Sequence, residues 1–172
     1  MAIIMLAGKA GARKDTVADI IVSNVDRSKK FAFADDLKLI AKHLGWDGKK
    51  DDRGRLLLQQ LGALGRRYNI NVWANQVMWK IEDELLDTTN NTFVISDFRF
   101  PNEYEVLRKR YFDVVTVNII GRQRRLSQEA AKDVSENSLK DFRFDFTINN
   151  NGSLEDLKHK VLKIVGGLYV HI

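Results

Sequence analysis

Nine residues, Gly8-Lys9-Ala10-Gly11-Ala12-Arg13-Lys14-Asp15-Thr16, stand between a short apolar run, Ile3-Ile4-Met5-Leu6-Ala7, and a segment carrying Val17, Ile20, Ile21 and Val25 on one face. The order is strand, glycine-bearing turn, lysine, helix, which is the context a phosphate-binding loop requires. In such a turn the backbone N–H groups at the helix start have no partners within the helix. They converge on one spot, where the helix dipole also favours negative charge. Lys14 would add a point charge reaching the outer phosphates, and the Thr16 hydroxyl could serve a magnesium ion. The match to G-x-x-x-x-G-K-[ST] is imperfect. Arg13 stands where the motif has glycine, and its Cβ crowds the turn. Asp15 stands where the motif has the hydroxyl, which arrives one residue later at Thr16.

The 172 residues suffice for one domain with a sizeable core, 44% of them hydrophobic and 30% charged. No apolar run approaches the length of a membrane span. The N-terminal stretch lacks a preceding basic segment and is expected to be a strand, not a signal peptide. With no cysteine, disulfides and thiolate chemistry are excluded. A cytoplasmic location is the expectation. The net charge of +5 points to phosphate-bearing partners, although dispersed surface lysines account for part of the excess.

Along the chain, strand and helix signals alternate. Phe31 to Ala34 reads as a second buried strand running into Asp35-Asp36, with Leu37, Ile40, Ala41 and Leu44 marking a helix face. Leu57, Leu61, Leu64 and Tyr68 give another helix, weakened by Gly62 and Gly65, and Trp73, Val77, Ile81 and Leu85 a further one. Phe93 to Ile95 is the third strand, and Pro101 opens the helix bearing Val106 and Leu107. Val114 to Ile120 is the fourth strand. Phe142, Phe144, Phe146 and Ile148 alternate with polar residues as the fifth, followed by a turn at 149–152. Ser153 with Asp156 forms a capping box for the last helix. The expected architecture is α/β: a doubly wound, five-stranded parallel sheet with helices on both faces.

Ligands of such sheets bind outside the carboxyl ends of the strands. Strand one delivers the glycine-bearing loop there. Strand two delivers Asp35, Asp36 and Lys38, and strand three delivers Asp97 and Arg99. A carboxylate so placed can hold magnesium, usually through water, and an arginine can grip a phosphate bidentately. Beyond strand four come Arg122-Gln123-Arg124-Arg125 and a polar stretch from Ser127 to Lys140, which could close over a transferring phosphoryl group.

Taken together, these stretches resemble the phage deoxynucleoside monophosphate kinases. The resemblance runs through Leu6-Ala7-Gly8, Lys14-Asp15-Thr16-Val17-Ala18-Asp19 and Phe33-Ala34-Asp35-Asp36-Leu37-Lys38. It continues in Leu58-Gln59-Gln60-Leu61-Gly62 with Arg66 and Trp73, then Asp97-Phe98-Arg99-Phe100-Pro101-Asn102-Glu103, Ser135-Glu136-Asn137 and Ile148 to Leu154. It implies one P-loop kinase domain over residues 1–172, with an acceptor-binding helical part near 36–86 and a lid near 121–141.

The implied ATP site comprises Gly8, Gly11, Ala12, Arg13, Lys14, Asp15 and Thr16, with Asn151 near the adenine. Asp35, Lys38, Arg66, Trp73, Asp97 and Arg99 would bind the acceptor. Thr16 and Asp97 would serve magnesium, and Lys14, Arg99, Arg122 and Arg125 would be catalytic, Arg124 joining them in the lid. The implied cofactors are ATP and Mg2+, and the implied partner is a deoxynucleoside monophosphate. No membrane and no nucleic acid is expected, and a homodimer is left open. Family members carry glycine at the position of Arg13, and some are longer between strand two and Gln59-Gln60. Two rival readings stand beside this one: a P-loop kinase acting on a modified base in DNA, and a non-catalytic nucleotide binder with a degenerate loop.

Overall fold

A strand whose two faces are both apolar must lie between two layers. β1 (Ala2–Ala7) is buried at every position. Its alternate side chains enter different cores: Ile3, Met5 and Ala7 face one, Ile4 and Leu6 the other. The computed structural model describes residues 1–89, 91–121, 134 and 137–169. Around β1 it places β2 (Ser28–Phe31), β3 (Thr92–Ile95), β4 (Val114–Gly121) and β5 (Phe146–Asn150). The sheet order is β2-β3-β1-β4-β5, and every pairing is parallel. This is the expected doubly wound sheet.

Six described helices cover it: α1 (Lys14–Asn24), α2 (Ala34–His43), α3 (Asp52–Tyr68), α4 (Val72–Asp87), α5 (Pro101–Arg110) and α6 (Leu154–Tyr169). On one face Trp73, Val77 and Ile81 of α4 and Leu107 of α5 pack with Phe93 and Ile95. On the other, Val17 and Ile21 of α1 and Leu157 and Val161 of α6 pack with Val94 and Ile119. Burying one such side chain contributes ~1.5–3 kcal/mol, so the strand that ends in the loop is firmly anchored. The last helix begins as expected. Asp156 N–H donates to Ser153 Oγ at 3.1 Å, and Ser153 N–H donates to Asp156 Oδ2 at 3.0 Å.

Both edge strands differ from the sequence expectation. The second strand is Ser28–Phe31, three residues earlier than Phe31 to Ala34. It lies at the sheet edge, where charge blunts unwanted pairing. There Lys29 pairs with Glu84 and Lys30 with Asp19, so polar residues hide the strand. The fifth strand starts at Phe146 and runs through Asn149 into Asn150, which the sequence placed in a turn. Phe142 and Phe144 precede it. Their alternation reflects an aromatic cluster, with Phe142 edge-on to Phe98 and Tyr104 at 5.1 and 5.4 Å between centroids.

The apolar pattern also overstated burial on two helices: Ile40 of α2 and Leu44 just after it, and Leu64 and Tyr68 of α3, are exposed. Gly65, expected to weaken α3, has a packing reason. A Cβ there would come within 2.5 Å of the Trp73 ring, and Trp73 Nε1 donates to the Gly62 carbonyl at 3.1 Å. The glycines admit Trp73 and let α3 lie close on α4. The connection from β2 to β3 thereby becomes a packed three-helix wall beside the strand ends.

Candidate active site

The loop between β1 and α1 turns back on itself through three positive φ angles: 143° at Gly8, 87° at Gly11 and 68° at Arg13. At Gly8 a Cβ would lie 2.4 Å from the Ile119 carbonyl oxygen, so only glycine lets the loop cross β4. Arg13 takes the left-handed conformation that glycine would take, at φ 68° and ψ 34°. The crowding expected there has not displaced the backbone; it costs about 1 kcal/mol of local strain. Lys14 Nζ donates to the carbonyls of Gly8 at 2.7 Å and Lys9 at 3.3 Å, which lays its ammonium across the loop. A side chain the sequence did not single out steadies the same loop from β5. Buried Asn150 donates from Nδ2 to the Ala12 carbonyl at 3.0 Å.

Beside this loop a cavity of about 300 Å³ opens. Gly11, Lys14 and Asp15 line it on the loop side, and Lys38, Arg66 and Arg99 on the other. Trp73 and Asp97 also line it. Asp35 does not belong to this lining. Its Oδ2 accepts the Ala32 N–H at 2.9 Å and its Oδ1 accepts from Lys38 at 3.0 Å, so it shapes the turn into α2 and orients Lys38. The Arg66 guanidinium lies 4.1 Å from the centroid of the Phe100 ring, a cation–π contact that fixes its plane. Lys50 and Arg55 add two further cations that the sequence reading did not single out.

A second cavity of about 430 Å³ lies on the other side of the loop, lined by Gly8, Lys9, Ala12, Asn118, Lys140 and Phe144 among others. Arg99 is the one described residue lining both. Lys9 and Lys140 are likewise new to the site. Lys9 Nζ donates to Asn137 Oδ1 at 3.0 Å. Arg122, Arg124 and Arg125, and with them most of the expected lid, lie outside the described residues. Asn151 is exposed in the turn after β5, outside both linings, with its N–H donated to Asn149 Oδ1 at 3.1 Å.

The acids of the site are sharply differentiated. Burial opposes ionisation of Asp15, but Lys30, Lys50 and the Ser96 hydroxyl outweigh it and hold the carboxyl below its ordinary range. Asp97 is surrounded densely enough that desolvation raises its pKa, despite the N–H groups of Ala34 and Phe33 and the charges of Lys38 and Arg99. Its Oδ1 accepts from Phe33 N–H at 2.7 Å and its Oδ2 from Ala34 N–H at 3.0 Å, tying the start of α2 to the end of β3. Thr16 is half-buried in the first turn of α1, outside both cavity linings. Asp15 is therefore the residue of this turn whose carboxyl lines the cavity. Oxygen donors of this kind suit magnesium.

Residues 46–161 match the family model described as deoxynucleotide monophosphate kinase. A protein of Ictalurid herpesvirus 1 (strain Auburn), ORF77, is 35% identical over 104 residues, which are 60% of this chain and 45% of that protein. The chain thus spans less than half the length of that relative. Among solved structures, the tunicamycin resistance protein of Deinococcus radiodurans superposes with a TM-score of 0.57 at 14% identity, covering 96% of this chain and 95% of that one. Thymidylate kinase from Candida albicans gives 0.51 at 14% identity, covering 99% and 93%. Shikimate kinase from Acinetobacter baumannii gives 0.51 at 16%, covering 97% and 94%. At these identities the likeness is one of fold.

Proposed function

This chain belongs to the deoxynucleotide monophosphate kinase family, and we propose that it is a nucleotide kinase that moves the γ-phosphoryl group of ATP onto the 5′-phosphate of a deoxynucleoside monophosphate. One observation carries the reading. A single cavity is lined at one side by Gly11 and Lys14 and at the other by Lys38, Arg66 and Arg99. Two phosphates, one on each side, would meet within it. Its volume of about 300 Å³ lies at the small end of ligand pockets, which favours a free mononucleotide over a base carried on DNA.

An oxygen of the acceptor phosphate attacks the γ-phosphorus, the bond to the β,γ-bridging oxygen breaks, and ADP leaves with that electron pair. The attacking oxygen is already anionic, so no side chain has to take a proton. The protein's work is then positioning and cancelling charge. Lys14, moving from the loop carbonyls onto the β- and γ-oxygens, stabilises the leaving side. Arg99, at the wall between the two cavities, follows the transferring group, while Arg66 and Lys38 hold the acceptor phosphate. Asp15 and Asp97, both lining the cavity, and Thr16 in the adjacent turn are the oxygen ligands available to magnesium. A magnesium ion held there would supply Lewis-acid neutralisation of the phosphate oxygens. Gly8 and Ala12 of the loop, with Asn151 beyond β5, would face the rest of the donor.

The test is direct. ATP, magnesium and each deoxynucleoside monophosphate in turn are incubated with the protein, and deoxynucleoside diphosphate formation is followed. At least one should be converted at enzymatic rates. Label from the γ-phosphate appearing on DNA and on no free monophosphate would contradict the reading, as would binding of nucleotide without turnover.

A further inference from the structure

Two arginines of the acceptor side depend on one short stretch of backbone. Arg99, four residues past the end of β3, lines the cavity, and Phe100, the next residue, carries the ring on which Arg66 lies. Neither residue belongs to a strand or helix, so nothing in the sheet or helix ladders fixes their peptide. Glu103 does. It sits at the third position of α5, is 5% exposed, and lines the same cavity. Its Oε2 accepts the N–H of Arg99 at 2.8 Å and that of Phe100 at 3.0 Å. From the opposite side the Ser138 hydroxyl donates to the Arg99 carbonyl. The Glu103 backbone closes the turn by donating to the Phe100 carbonyl at 2.9 Å.

We infer that Glu103 is a positioning residue for the acceptor phosphate: through the two N–H groups it holds, it aims Arg99 and, by way of the Phe100 ring, the plane of Arg66. This rests on the phosphate-binding role given above to those arginines. A glutamate reaching back to the residue before a helix is commonly half of a capping box, where the capping residue's own side chain returns the bond. Phe100 has no side chain that can do so. The bond to Arg99, beyond the cap, has no place in that motif. A surface glutamine would serve helix capping alone; a carboxyl buried in a cavity of cations costs desolvation that capping does not require. Burial, with Asp97 nearby, pushes its pKa up to about 8. At neutral pH it is mainly the uncharged acid, accepting both bonds without adding a negative charge beside the incoming phosphate.

The experiment compares wild type with Glu103→Leu and Glu103→Gln, measuring KM for acceptor and for ATP separately and binding of inorganic phosphate by calorimetry. Leucine fills the site without accepting a bond. It should raise the acceptor KM at least tenfold, about 1.4 kcal/mol, with the ATP KM within about twofold. Glutamine keeps an acceptor oxygen and should restore both constants to within about threefold. Equal rises in both KM values, an unchanged acceptor KM in Glu103→Leu, or failure of glutamine to rescue would each overturn the inference. If Glu103→Leu does not fold, Phe100→Leu takes its place. It should raise the acceptor KM several-fold and spare that for ATP, and an unchanged acceptor KM refutes the link to Arg66. A wild type that turns over no deoxynucleotide would sink the functional reading alone. The positioning role is then decided by phosphate affinity, which must fall in Glu103→Leu and recover in Glu103→Gln.

Discussion

Raising the pH should weaken this fold through Glu103, in the direction opposite to that of an ion-paired carboxylate. The ordinary pKa of 4.5 is the value for the unfolded chain, and burial pushes it up to about 8 in the folded one. Between these values the unfolded chain has released the proton while the folded chain retains it, so stability falls as pH rises. The contribution is fully present below the unfolded pKa, is lost progressively up to about 8, and is flat beyond. Each pH unit in that window is worth about 1.4 kcal/mol per proton, and the whole window is on the order of 3–5 kcal/mol. Asp97, also raised, steepens the acid end of the same slope. Asp15 and Asp156, both held low, act oppositely, but only at more acid pH, where they must protonate. Urea denaturation of wild type and Glu103→Gln, from about pH 5 to about pH 9 at fixed ionic strength, isolates the group. Wild type should lose a few kcal/mol more than the variant between the extremes. Parallel profiles would mean that Glu103 ionises normally and that its burial has been misjudged.

Further outcomes are expected of the loop and its neighbours. Lys14→Ala should cost more than ~100-fold in turnover while leaving the fold intact, since the substitution removes the charge that meets the phosphates and no packing from the core; near-normal turnover would mean the phosphate loop is misplaced. Arg99→Ala should weaken the acceptor more than ATP, by roughly 2 kcal/mol, read as the ratio of the two KM changes. Arg13→Gly relieves a left-handed residue but adds freedom to the unfolded chain, so stability should change by less than ~1 kcal/mol and activity should be similar or lower. A large gain in turnover would instead identify a decayed loop.

Where the chain's patterns are dictated by burial on both faces, the fold could be read from them: Ile3 to Ala7 and Phe93 to Ile95 are apolar throughout because the sheet is covered on both sides, and β4 shows the same through Val114, Val117 and Ile119. At the two edges the rule fails for a physical reason. Lys29 and Lys30 are charged because an edge strand needs no second core layer, and Phe142 and Phe144 alternate because they wrap Phe98 and Tyr104. The loop was legible because glycine, lysine and helix start are chemically required in that order. That Arg13 keeps the glycine conformation could not be read, since residue type reports cost and not outcome. Lys38, Arg66, Trp73, Asp97 and Arg99 do converge on one cavity. Asn150 escaped notice because it acts through a tertiary contact with the loop, and Glu103 because a Glu three residues after Phe100 reads as ordinary helix capping. Asp35 and Asp97 look alike in sequence as acids after strands, yet both spend oxygens on backbone N–H groups that shape the start of α2.

In the proposed reaction, donor and acceptor phosphates meet in one cavity between the loop and Arg99. An adenosine and a deoxynucleoside joined 5′ to 5′ by five phosphates tests this most directly, because linking two ligands helps only when both ends reach their sites together. Calorimetry should give a dissociation constant at least ~100-fold below that of either mononucleotide alone, with the compound competing against both ATP and the acceptor. Affinity no better than that of ATP, with competition against ATP only, would contradict the account.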